Sequence, residues 1–178
     1  MMKNQKLRDI NRIAVSAAII AVCSWISVPA PVPFTLQTFG VFLTSGLFGR
    51  KKGALAVAVF IFLGAIGIPV FSGGRGGLGV LFGETGGYII GFLPAAFLCG
   101  SICEKKEKSI SRLILAMLSG LVVCYVSGIL WAYFAYLRQD GLGFIIVLTK
   151  HVAAFIIPDQ AKIIAAAFAV RALNKRII

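Results

Sequence analysis

A chain of 178 residues that is 59% hydrophobic and 13% charged, with a mean hydropathy of +0.95, does not have the composition of a water-soluble domain. Its net charge of +12 does not describe a nucleic-acid surface, because the cations fall in short clusters between apolar runs, as in a polytopic membrane protein. Cys23, Cys99, Cys103 and Cys124 sit inside apolar runs without CxxC spacing, and His151 is the one histidine, so neither a metal centre nor a disulfide framework is indicated.

In chain order, Lys3, Lys6, Arg8 and Arg12 precede a first predicted span over 13–28. With its flanks this run is long enough for a hydrocarbon core of roughly 30 Å. Ala14 and Ala18, like Ala17 and Ala21, are four apart, a spacing that lets another helix pack closely, within the bundle or from a partner. Pro29, Pro31 and Pro33 end the helix and favour extended backbone. Thr35, Gln37 and Thr38 open a second span, 34–49, where they face a cavity or satisfy themselves on nearby carbonyls.

Arg50, Lys51 and Lys52 read as a tight inside loop before a third span, 53–69. The next stretch, Ile68 to Phe92, is rich in glycine yet carries Arg75, Glu84, Thr85 and Tyr88 between apolar flanks. Glycine lets backbone amides approach a ligand without a Cβ in the way. Non-helical backbone at membrane depth persists only inside protein or beside a watery cavity. The stretch is therefore a candidate binding loop. A fourth span covers 86–103, and the charged segment Glu104 to Arg112 forms a connector in which Ser109 or Ser111 can cap the fifth, 113–137. That span ends in Trp131, Tyr133, Phe134 and Tyr136, suited to an interfacial belt or a cavity wall. An outer loop from Arg138 to Lys150 leads into the sixth span, 152–173. Arg75, Arg138 and Lys150 fall outside, Lys162 falls within a span, and every other Lys and Arg falls inside, Arg171 at the inner end of the sixth span. The chain thus reads as an all-α, six-helix membrane protein, one integral domain over 1–178 with both termini cytoplasmic.

Asp159 and Lys162 interrupt the apolar sixth span, where charges cost several kcal/mol unless paired or solvated. Their spacing of three puts them on one helix face. They form either a structural anchor or, with the polar residues of 72–88 on the same side of the membrane, a site. A carboxylate and an ammonium side by side suit a small solute that offers N–H donors and a carbonyl, with an apolar body against aromatic walls.

Three phrases, PVPFTLQTFGVFL (31–43), LGAIGIPVFSGGRGGLGVLFGETGGYIIGF (63–92) and PDQAK (158–162), closely resemble the BioY family, the biotin-binding S components of energy-coupling factor (ECF) transporters. The resemblance implies a six-helix S component in the cell membrane that captures biotin from outside. It also implies partnership with a transmembrane coupling subunit and two ATPase subunits, and no catalytic residues or cofactor of its own. By position it implies ligand contact for Asp159 and Lys162, for Gly73, Gly74, Gly76 and Gly77 of the loop, for Thr85, Gly86, Gly87 and Tyr88, and for Thr35, Gln37 and Thr38. Arg75, within the same loop, is placed beside biotin's carboxylate, and the Asp–Lys pair at its ureido ring. Ala14, Ala17, Ala18 and Ala21 match the surface that docks on the coupling subunit. Glu84 departs from the family, which usually has proline there. An ion-coupled secondary transporter is the alternative, and an intramembrane enzyme is disfavoured because no nucleophile and base are in register.

Overall fold

Helix α1, Met2–Trp25, takes in the basic N-terminal segment as well as the predicted first span. A computed structural model describes residues 2–28, 34–104, 109–137 and 154–177. The prolines at 29, 31 and 33, residues 105–108 of the connector, and the predicted outer loop with Arg138, Lys150 and His151 lie outside the described residues. Helix α1 starts early because its first turns contain good helix formers and neither glycine nor proline. They are also anchored, since Lys52 lies 2.6 Å and Arg12 3.8 Å from Oδ1 of Asp9.

Beyond α1 a small antiparallel ladder, β1 (Ser27–Val28) against β2 (Phe34–Thr35), flanks the proline segment and replaces helix at the end of the predicted first span and the start of the second. Helix α2, Gln37–Ala65, follows and is broken at Gly49, with φ 77° and ψ −175°. The basic cluster read as a loop is therefore the start of the second half of α2. One residue makes the turn, and it has to be glycine: its φ is positive, and a Cβ there would meet Glu104 Oε1 at 2.7 Å. The break frees the amide of Arg50, which donates to Glu104 Oε1 at 3.0 Å.

The glycine-rich stretch then folds into a short 3₁₀ turn, Ser72–Gly74, and the one-turn helix α3, Leu78–Leu81. Helix α4, Gly86–Cys103, has the bounds predicted for the fourth span. Helix α5, Ile110–Ala132, is capped by Ser109 and prolonged by a π turn over Tyr133–Leu137. Helix α6, Ala154–Ile177, runs further toward the C-terminus than the predicted sixth span. Counting the halves of α2 separately, the described residues hold six long helical segments.

Phe42, Phe60, Leu113, Met117, Ile163 and Val170 form the heart of the core. The outward faces are also apolar: Val15 and Val22 on α1, Leu115 and Val122 on α5, and Ile157, Ile164 and Phe168 on α6 are all exposed. A bundle that is hydrophobic on both faces belongs in lipid. Among the described residues two stretches, Gly86–Cys103 and Ile110–Ala135, are long and apolar enough by composition alone to cross a membrane.

Candidate functional site

The α4–α5 contact is built on glycine. A Cβ on Gly87 would come within 2.2 Å of Trp131 Cβ, and one on Gly128 within 2.3 Å of the Tyr88 ring. Small residues at these crossings let the two helices approach. That approach sets Tyr88 beside Tyr125. On the other side Phe71 lies flat over Gly64, where a Cβ would meet its ring at 2.0 Å, and packs edge-on against Phe60 at 5.4 Å and 77°. The loop is tied down at several points. Gly77 N donates to Gly64 O at 2.6 Å, Trp25 Nε1 to Pro69 O at 2.7 Å, Ser24 Oγ to Val70 O, and Trp131 Nε1 to Gly83 O at 3.1 Å.

Between these elements lies a half-open cavity of about 690 Å³, counting the space at its mouth. Thr35, Gln37 and Thr38 reach it from the start of α2, Arg75 and Thr85 from the loop, Tyr88 from α4, and Asp159 and Lys162 from α6. The structure thus brings together eight of the residues singled out in the sequence. The predicted loop glycines have a different place. Gly73, Gly74, Gly76, Gly77, Gly86 and Gly87 do not line the cavity. Gly73, Gly74 and Gly77 turn the chain with positive φ, and Gly76, Gly86 and Gly87 leave room for neighbouring atoms that a Cβ would strike. Glu84 is exposed and is not part of the cavity wall.

Asp159 and Lys162 are 2% and 6% exposed, so their charges must be met inside the protein. Lys162 Nζ donates to Asp159 Oδ1 at 2.7 Å, and Thr38 Oγ1 donates to the same oxygen at 3.0 Å. Tyr125 OH donates to Oδ2 at 2.6 Å. The ammonium also sits 3.8 Å from the centroid of the Phe34 ring, a close cation–π contact, and Phe34 stacks on Phe155. Tyr125 and Phe34 were not predicted as site residues. A tyrosine inside an apolar span and a phenylalanine beside a proline turn look like ordinary lipid or core residues until a buried carboxylate and ammonium are found against them.

A carboxylate has about four acceptor positions and an ammonium three donors. With three donors already on Asp159, Oδ2 retains one open position, and Lys162 retains N–H capacity beyond its bond to Oδ1. Gln37 is 5% exposed and its Nε2 makes no hydrogen bond, a cost of about 1–3 kcal/mol that a ligand acceptor can remove. Phe71, Val80, Ile89, Phe92, Cys124 and Phe155 supply an apolar remainder. Arg75 stands toward the exposed side, its Nε donating to Ser72 O at 3.1 Å. The described residues contain no group of three His, Cys, Asp or Glu side chains able to hold a metal ion.

The small-residue face predicted on α1 divides in two. Ala17 is buried and Ala21 packs against the core, so these two belong to internal packing rather than to an outer docking face. Ala14 and Ala18 are exposed. The trailing aromatic cluster divides as well. Trp131 holds the loop at Gly83, and neither Tyr133 nor Phe134 lines the cavity.

A lipid-facing helical bundle that closes one end over an ion-paired, partly aromatic cavity is a membrane protein built to hold a small solute. Comparison with known proteins gives the particular kind. The model of the BioY family matches residues 1–178, and the chain belongs to that family. It is 45% identical over 124 residues to the biotin transporter BioY of Thermotoga maritima, covering 69% of this chain and 73% of that one. It is 32% identical over 185 residues to that of Lactococcus lactis subsp. cremoris, covering 99% and 95%. A crystal structure of the S component for biotin from an ECF-type ABC transporter superposes with a TM-score of 0.88 at 30% identity, over 98% of this chain and 95% of that one. The fold is that of an ECF S component.

Proposed function

We propose that this protein is the biotin-binding S component of an ATP-driven ECF importer, seated as a multi-pass protein in the cell membrane with its cavity toward the outside. The observation that carries the reading is the buried Asp159–Lys162 pair facing the cavity. A ureido edge offers N–H donors beside a carbonyl. One N–H goes to the open position on Asp159 Oδ2, the second to a lone pair of the Thr38 hydroxyl, and the carbonyl accepts from Lys162 or from the unpaired amide of Gln37. The aromatic and aliphatic wall takes the thiophane ring and the start of the valeryl chain. The acid then points to the mouth, where Arg75 can receive it.

The relatives' transport role and the absence of a phosphate-binding GxxxxGK[ST] sequence support a subunit that captures solute and leaves ATP hydrolysis to partners. Those partners are a transmembrane coupling subunit and two ATPase subunits, with both termini of this chain on their side of the membrane. The exposed pair Ala14 and Ala18 is the part of α1 open to such a contact. Binding of labelled biotin to the purified chain, with riboflavin and thiamine as controls, tests the reading. Saturable binding of biotin alone is expected, and equal binding of all three or of none overturns it.

A further inference from the structure

We propose that a groove at the opposite end of the bundle from the ligand cavity holds the phosphate headgroup of an anionic membrane lipid. The first turn of α5 and the last turns of α6 meet there, and Ile110, Phe168, Arg171, Ala172 and Lys175 line an open space of about 420 Å³. Arg171 and Lys175 are four apart on α6, so both cations project along one face of the helix and repel each other unless an anion lies between them.

Three other cations toward this end of the molecule are met from within the protein, Arg12 and Lys52 by Asp9 and Arg50 by Glu104. Arg171 and Lys175 have no acidic partner among the described residues. Both are exposed. The N-terminus of α5, capped by Ser109, adds the positive end of a helix dipole on the same side.

The surroundings select a lipid rather than a soluble anion or an acidic protein. Phe168 is 55% exposed and belongs both to the groove and to the outward apolar stripe that continues through Ile164 and Ile157. Leu115 extends the same character on α5. An acyl chain lying along that stripe brings its phosphate to the basic end. Lys175 stands about 24 Å along the helix from Asp159 at 1.5 Å per residue, a separation that puts the groove near one face of the hydrocarbon core when the cavity is near the other. Basic pockets between helices at a membrane surface suit anionic headgroups in this way.

Native mass spectrometry of the full chain, released from nanodiscs of equimolar phosphatidylglycerol and phosphatidylcholine, tests the proposal. Retention of phosphatidylglycerol is expected, with a preference of roughly fivefold per cation and roughly thirtyfold for the pair. The double variant Arg171→Gln/Lys175→Gln should lose that preference, while Arg171→Lys/Lys175→Arg should keep it. Biotin affinity should be equal in all three proteins, so loss of lipid preference is read separately from any failure of the ligand assignment. Equal retention of both lipids by the parent protein, or undiminished preference in the Gln variant, overturns the proposal. So does displacement of the lipid by millimolar glycerol phosphate, which would make this a soluble-phosphate site. A Gln variant that keeps the lipid preference but no longer assembles with a coupling subunit would assign the groove to a protein partner instead.

Discussion

Tyr125 donates its phenolic proton to Oδ2 of Asp159 at 2.6 Å, across the contact between α5 and α6, on the oxygen that Lys162 leaves untouched. The carboxylate is therefore held from two helices besides its own, by Tyr125 and by Thr38. Its plane is set before a ligand arrives, which removes the ordering cost that a free side chain would add to binding.

Replacing Tyr125 by Phe keeps the ring and deletes that bond. A hydrogen bond to a charged group contributes about 1.5–3 kcal/mol, so biotin affinity should fall roughly ten- to hundredfold. Isothermal calorimetry checks this. Unchanged affinity with a lowered melting temperature would make Tyr125 a residue of the fold alone.

Truncating Asp159 or Lys162 to Ala leaves the other charge buried without its partner. The expected loss in biotin binding is about 2–5 kcal/mol, part of it the penalty on the stranded charge. The double variant should therefore lose less than the sum of the two single variants. Additive losses in a double-mutant cycle would contradict a coupled pair.

The proposed orientation of biotin predicts how Arg75 discriminates among ligands. Arg75→Ala should weaken biotin binding while leaving a biotin amide, which lacks the acid, nearly unaffected. A ring-opened diamino analogue should bind the parent protein poorly. Equal effects of Arg75→Ala on acid and amide would remove Arg75 from the carboxylate.

The two alanine pairs on α1 should respond in opposite ways. Ala14→Leu with Ala18→Leu adds bulk on an exposed face, so biotin binding should persist while assembly with the coupling subunit fails. Ala17→Leu overpacks a buried position, costing about 1–3 kcal/mol of stability. Thermal unfolding of each variant in detergent separates the two faces.

Much of this was legible in the sequence, for identifiable reasons. Helix α4 was bounded correctly because glycines and a charge run frame an uninterrupted apolar segment. Asp159 and Lys162 stood out because ionised groups are rare inside such segments. The turn at Gly49 was placed one cluster too late, since Arg50, Lys51 and Lys52 suggest a loop, whereas the conformational requirement falls on the glycine before them. Ligand contact is expected of Gly73, Gly74, Gly76, Gly77, Gly86 and Gly87, yet these glycines turn the chain or allow close packing, which only the positions of Leu81, Trp131 and the backbone at Gly67 and Ile68 reveal. Tyr125 carried no local signal, because its meaning comes from a carboxylate 34 positions away.

Thr38 and Asp159 are 121 positions apart, and their bond joins the start of α2 to the helix that ends the described chain. A chain synthesised from its N-terminus can assemble α1 through α5 before that bond can exist. The cavity is then the final feature to close, completed when α6 brings Phe155, Asp159 and Lys162 to a wall already formed by Thr35, Gln37, Thr38, Tyr88 and Tyr125. A solute that bridges α6 to that wall stabilises the docked helix by mass action. Biotin present during membrane insertion should therefore favour the finished fold over one with its last helix unseated, and resistance of α6 to proteolysis should rise with biotin concentration.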